Sequence, residues 1–191
     1  MRRVIQITDL GSVSAEEIEA RARRGGPHMF TLLRDPGLSA REALRWGRRL
    51  RQVTRDVGGG LLVADRLDLA WLLEADGAHL GRGSVEVVDA RRVLGEGAFV
   101  SRSAHDESEL REAATQGADA ALVSPIFASP GKGPPLGLAG LTALHRMLGQ
   151  GARPRLYALG GVDRATAPAC LSAGADGVAS IRADLTAFAH L

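Results

Sequence analysis

With 191 residues, 45% of them hydrophobic, the chain can bury one substantial core and hardly two. Twenty-four Lys and Arg against 22 Asp and Glu leave a net charge of +2, and only 4% of residues are aromatic, which excludes the basic, aromatic-studded face of a nucleic-acid binder. No apolar run approaches the roughly 20 residues of a membrane helix, and the lone cysteine, Cys170, cannot form an internal disulfide, so a cytoplasmic protein without a membrane partner is expected.

The chain alternates short apolar runs with amphipathic segments. Residues 4–8 read as a strand, and Ser14 with Glu17 three residues on reads as a capping box opening a helix to Arg24. Residues 29–34 are the second strand. Residues 39–55 form the longest helix, small or apolar at Ala40, Ala43, Leu44, Gly47 and Leu50. The third strand is 61–64, after which Asp65 caps a helix through Leu73; 78–80 is a short fourth strand, with a helix near 85–94. The fifth strand, 99–103, precedes a helix over 107–116, and the sixth, 120–123, leads through a long loop to a helix near 138–148. Residues 156–159 are the seventh strand, stopped by Gly160-Gly161; a helix over 164–173 and an eighth strand at 178–181 follow, leaving 186–191 room only for a stub of helix.

Eight strands alternating with helices predict an α/β fold, a single compact (β/α)8 TIM-barrel domain over 1–191 with a short last helix; a doubly wound open sheet is the runner-up. Ala75-Asp76-Gly77, Ala118-Asp119-Ala120 and Ala175-Asp176-Gly177 repeat one turn chemistry between helix and strand. No exposed apolar stripe names an interface, although barrels of this size commonly form homo-oligomers.

In a barrel the chemistry gathers where the strands end. Those ends are Arg34-Asp35, Asp65-Arg66, His79 to Arg82, Arg102 to His105, Ser124-Pro125, Gly160-Gly161 and Ser180-Ile181-Arg182. Several carry arginine, which suits a small anionic substrate. Two glycines after a buried strand let backbone N–H groups approach an anion, unless they serve only a tight turn.

FTLLRD at 30–35, LVADRLDLA at 62–70, ADGAHLG at 75–81, Ser103-Ala-His105, Ser124-Pro-Ile-Phe127 and the paired Gly160-Gly161 and GADG at 174–177 resemble the thiamine phosphate synthases and their TenI-type thiazole tautomerase relatives. The resemblance runs in unbroken order from Ile7 to Ala183. Its synthase branch implies Mg²⁺-dependent condensation of a pyrimidine pyrophosphate with a thiazole phosphate, with Arg34 and the metal ligand Asp65 matching. Other positions depart from that branch: Leu32, Pro36 and Ala64 replace polar residues, and Ser84 stands where the second metal carboxylate falls.

The tautomerase branch needs no cofactor, and Arg102-Ser-Ala-His105 and Gly83-Ser84 resemble its motifs. On these departures the tautomerase ranks first. His105 is then the acid/base, Arg34 and Arg102 hold a carboxylate, and Ser103, Lys132, Gly160, Gly161, Ser180 and Ile181 hold the phosphate of a small phosphorylated thiazole. The synthase, with Mg²⁺ at Asp65, and a non-catalytic binder of thiazole or thiamine phosphate are the alternatives. Plainer roles stay open: Asp65 as a helix cap, His105 in the cap region of 107–116, His79 packed inside its strand, and Lys132 as a solvated loop residue. Arg82 and Arg102 are candidate substitutes for a missing cation, and Arg182 either strengthens the phosphate site or blocks it.

Overall fold

The computed structural model describes residues 2–129, 131–149, 151 and 153–190. Eight parallel strands, β1 (Val4–Ile7), β2 (Met29–Leu33), β3 (Gly60–Ala64), β4 (Gly77–Leu80), β5 (Phe99–Ala104), β6 (Ala120–Val123), β7 (Arg155–Ala158) and β8 (Gly177–Ser180), close in sequence order into a barrel. β8 pairs with β1, Gln6 lying opposite Ser180. The open doubly wound sheet is thereby excluded. Among the described residues, seven α-helices fill the connections: α1 (Ala15–Gly25), α2 (Ala40–Asp56), α3 (Leu67–Leu72), α4 (Val87–Leu94), α5 (Glu107–Thr115), α6 (Gly137–Leu148) and α7 (Ala167–Ser172). The expected terminal stub is a 3-10 turn at Thr186–Phe188; Leu191 lies outside the described residues.

Each strand divides its side chains by period two. Ile5, Ile7, Phe30, Leu32, Leu62, Leu122, Tyr157 and Ala179 fill the barrel interior, and alternate residues such as Val4, Met29, Val100, Leu156 and Val178 pack against the helices. The helices start where cap chemistry allows. Ser39 and Glu42 form a complete capping box on α2. On α1 only half of the expected box exists: Ser14 accepts from Glu17 N–H, while the Glu17 carboxylate pairs with Arg21 and Arg24. Asp65 does not cap α3. It sits outside the helix in the left-handed region (φ 57°), and Arg66 holds the cap position.

The repeated turns share one clip. Asp76, Asp119 and Asp176 each take, through Oδ2, the backbone N–H that opens or nearly opens an adjacent strand (Leu61 at 2.7 Å, Val100 at 2.7 Å, Leu156 at 2.8 Å) together with an arginine, Arg51, Arg91 or Arg153. These carboxylates close the barrel end opposite the strand C-termini; their role is architectural. Large apolar side chains left exposed, Trp71, Leu72, Val85, Val88 and Val93, all lie on or beside α3 and α4. No helix among the described residues is long and apolar enough to cross a membrane.

Candidate functional site

At the C-terminal mouth of the barrel lies a cavity of about 690 Å³. Arg34, Asp65, His79, Arg82, Ser103, His105, Ser124, Lys132, Gly160, Gly161, Ser180, Ile181 and Arg182 all line it. His79, Ser103 and Ser180 lie on β4, β5 and β8 and the others on the segments that follow β2 to β8, so the ring is assembled from almost every strand. Pro130, beside Lys132, lies outside the described residues.

The anion-binding side is built from backbone. Gly160 (φ 92°) and Gly161 (φ 66°) occupy the left-handed region, and a Cβ on them would stand 2.7 Å from Pro125 Cα and 2.7 Å from Phe127 Cβ respectively. Only glycine fits this approach of the β7 turn to the β6 loop. The Ile126 and Phe127 N–H groups donate to the Leu159 and Gly160 carbonyls at 2.9 Å, locking the two loops together. Among the described residues the N–H groups of Gly160, Gly161, Ile181 and Arg182 have no protein acceptor. They form a set of free donors at one side of the mouth.

The opposite side carries the imidazoles. His79 is buried on β4 with Nδ1 3.0 Å from Ser101 Oγ and Nε2 3.1 Å from Ser103 Oγ. Taking the 3.5 Å contact of Ser101 Oγ with Ala78 O as the Ser101 donor contact assigns the ring proton to Nδ1, with Nε2 accepting from the Ser103 hydroxyl. Burial pushes the His79 pKa down to about 4, Asp65 opposing and Arg34 and Arg102 adding to the fall. The ring is therefore neutral at physiological pH. His79 is thus both packed inside the barrel and part of the cavity wall.

His105 follows β5 directly, and Asp106, not His105, caps α5 by accepting from Glu109 N–H at 2.9 Å. Glu109 Oε2 reaches back to the His105 N–H and Nδ1, both at 2.8 Å. This leaves Nε2 as the ring's other proton-exchanging atom. Burial pushes the Glu109 carboxyl up, but the hydrogen bonds from His105 and Arg82 outweigh it and hold the group below the ordinary carboxylate range. Arg82, itself largely exposed, is the second partner of Glu109.

Arg102 has to be withdrawn from the site. On β5 Ser101 and Ser103 face inward, so Arg102 between them faces out, bonding Gln116 Oε1 at 2.6 Å and lying 3.6 Å from Glu112 on the α5 side. It neither holds a substrate carboxylate nor replaces a missing cation at the mouth. Ser180 is likewise divided: its Oγ accepts from Ala183 N–H at 2.9 Å, and its backbone is in register with Gln6 of β1, so the free donors next to it belong to Ile181 and Arg182.

Asp65 projects to the rim, where Oδ1 accepts from Gly81 N–H at 2.7 Å and Oδ2 has no donor among the described residues. Gly81, Arg82, Gly83 and Ser84 flank it in an adjoining hollow. The described residues contain no group of three or more His, Cys, Asp or Glu arranged to hold a metal. Mg²⁺ commonly binds through one or two carboxylates with substrate phosphates completing its shell. Asp65 therefore fits a cation whose shell a bound ligand completes, not one caged by protein. Residues that sequence reasoning missed are Glu109, Gln6 and Arg21; the Glu109 spacing of four from His105 was the available signal.

The chain resembles known proteins over most of its length. The family model described as thiamine monophosphate synthase matches residues 4–183. A protein of Moorella thermoacetica named thiamine-phosphate synthase is 39% identical over 154 residues, 79% of this chain and 71% of that one. Its namesake in Natronomonas pharaonis is 40% identical over 175 residues, covering 91% and 80%. Among solved structures, thiamine phosphate pyrophosphorylase from Pyrococcus furiosus superposes with a TM-score of 0.80 at 26% identity, covering 94% of this chain and 85% of the other.

Proposed function

The chain belongs to the thiamine monophosphate synthase family, and from that premise we propose that it is a transferase that joins a pyrimidine methyl diphosphate to a thiazole phosphate. The C–O bond to diphosphate breaks, the thiazole nitrogen forms the new C–N bond, and pyrophosphate departs. This reverses the order suggested by the residue departures alone, which put the thiazole tautomerase first. Relatives 39% and 40% identical carry the synthase name.

The observation that carries the reading is the charge at the mouth. Arg34, Lys132 and Arg182, with Arg82 paired to Glu109, line the mouth together with two carboxylates, Asp65 and Asp163, beside the free N–H groups of the β7 and β8 turns. A diphosphate and a phosphate together bring more negative charge than the single phosphate and carboxylate of a tautomerase substrate. The cavity is also about twice the ~300 Å³ lower bound of small-molecule sites, room for two heterocycles. Fixed cations facing the departing oxygens stabilise charge as it develops. Asp65 is the residue that would hold Mg²⁺, whose chemistry there is neutralisation of the leaving pyrophosphate. The neutral His79 orients Ser103, whose oxygen lone pairs remain for a substrate donor.

One observation favours a second reading, the tautomerase: the His105–Glu109 pair at the cavity wall is a ready proton shuttle. Incubating the protein with both synthase substrates, with and without Mg²⁺, and separately with a non-aromatic thiazole carboxylate phosphate decides between them. Thiamine phosphate and pyrophosphate formed in equal amounts support the transferase. Aromatisation without thiamine phosphate overturns it in favour of the tautomerase, and tight binding with no turnover of either overturns both in favour of a binder.

A further inference from the structure

The barrel wall facing the helices is mostly apolar, but besides Thr31, Arg102 and Ser180 it carries Gln6 on β1, 2% exposed, with Arg21, 7% exposed, on the facing α1. A buried amide is costly unless every polar atom is paired. Here the pairing runs to one place. Gln6 Nε2 donates to Ile181 O at 2.8 Å and is shared with Ser180 O at 3.3 Å and Ile7 O at 3.1 Å. Gln6 Oε1 accepts from Arg21 Nη1 at 3.3 Å, and the same Nη1 donates to Arg182 O at 3.0 Å. Glu17, 2.9 Å from Arg21 Nε, fixes the guanidinium from the other side.

Three consecutive carbonyls, of Ser180, Ile181 and Arg182, are thus drawn back behind the barrel wall. In a trans peptide the C=O and N–H point in opposite directions. Turning the Ser180 and Ile181 carbonyls outward therefore turns the N–H groups of Ile181 and Arg182 toward the cavity both residues line, where neither has a protein acceptor among the described residues. Consecutive N–H groups aimed one way make an anion-binding concavity.

We infer that Gln6 and Arg21 are positioning residues for anion binding, holding the β8 turn so that its two amides bind a ligand phosphate that they themselves never touch. The inference rests on the proposed use of this mouth for a phosphorylated ligand, and the experiment separates the two. Inorganic phosphate is titrated into ¹⁵N-labelled full-length protein while the Ile181 and Arg182 amide signals are followed, for the native chain and for Gln6→Met, an apolar replacement of similar size. The native amides should shift saturably. In Q6M phosphate affinity should fall about 10-fold, the loss expected for a misplaced hydrogen-bond pair, and KM for the phosphorylated substrate should rise while kcat at saturation holds. A purely structural role would lower the melting temperature without moving phosphate affinity measured well below it. Native affinity in Q6M overturns the positioning role and leaves the mouth intact as a phosphate site; silent amides in the native chain overturn both. If Q6M fails to fold, Arg21→Met, which removes the tie to Arg182 O, carries the same test.

Discussion

His105 and Glu109 are joined twice, the Glu109 Oε2 atom accepting from both the backbone N–H and the ring Nδ1 of His105 at 2.8 Å. A carboxylate placed so fixes the ring's orientation as well as its tautomer. Under the transferase reading no proton moves at the new C–N bond, so His105→Ala should lower thiamine phosphate formation by less than about 10-fold, whereas a tautomerase would lose about 10²–10⁴-fold. Steady-state rates of both reactions in the variant and the native chain check this.

Asp65 offers the rim one oxygen that has no donor among the described residues, and it holds a left-handed backbone (φ 57°). Asparagine tolerates that conformation while other replacements pay roughly 1 kcal/mol or more. Asp65→Asn should therefore fold normally and yet need at least about 10-fold more Mg²⁺ for half-maximal rate, since a neutral amide is a weaker ligand for a hard cation. An unchanged Mg²⁺ titration would overturn the proposed role of Asp65 as the Mg²⁺ ligand.

The buried His79 ring couples stability to pH. Its folded pKa of about 4 lies below the ordinary 6.5. Between those values the unfolded chain binds the extra proton, so stability is full above pH 6.5 and falls as pH drops toward 4. The shift corresponds to a loss on the order of 3 kcal/mol. Urea unfolding at pH 7 and at pH 4.5 should show most of this loss in the native chain and a shallower one in His79→Asn.

Asp176 joins the start of β7 to the turn before β8 through Leu156 N–H and Arg153. Asp176→Ala strands a backbone donor and an arginine at the closed end of the barrel. Stability should fall by about 2–3 kcal/mol, the usual penalty for such an orphaned group. Turnover at a temperature where the variant is folded should match the native value, because the clip lies at the end opposite the cavity. Chemical denaturation paired with a turnover assay tests both halves.

Much of this was legible in the residues themselves. Short apolar runs spaced by amphipathic segments specify strand and helix by period alone, and with eight such units the hydrophobic effect leaves few arrangements besides closure. Cap and turn residues acted locally, so the helix start at Ser14 and the repeated Ala-Asp turns read from neighbours in the chain, while the Glu17 carboxylate, expected to complete the Ser14 box, turns to Arg21 and Arg24. Strand ends named the mouth, and Arg34, Asp65, His105, Lys132 and the two glycines all reached it. Arg102 did not, although the period-two alternation that put Ser101 and Ser103 inside already implied it.

What the linear order could not hold was distance across the barrel. Gln6 meets the Ile181 carbonyl 175 positions away, and His79 meets Ser103 24 positions away. Local propensity acts over a few residues and decides which segments become strands and helices. Which polar atoms then find partners depends on the register at which β8 returns to β1, and only closing the cylinder sets that register.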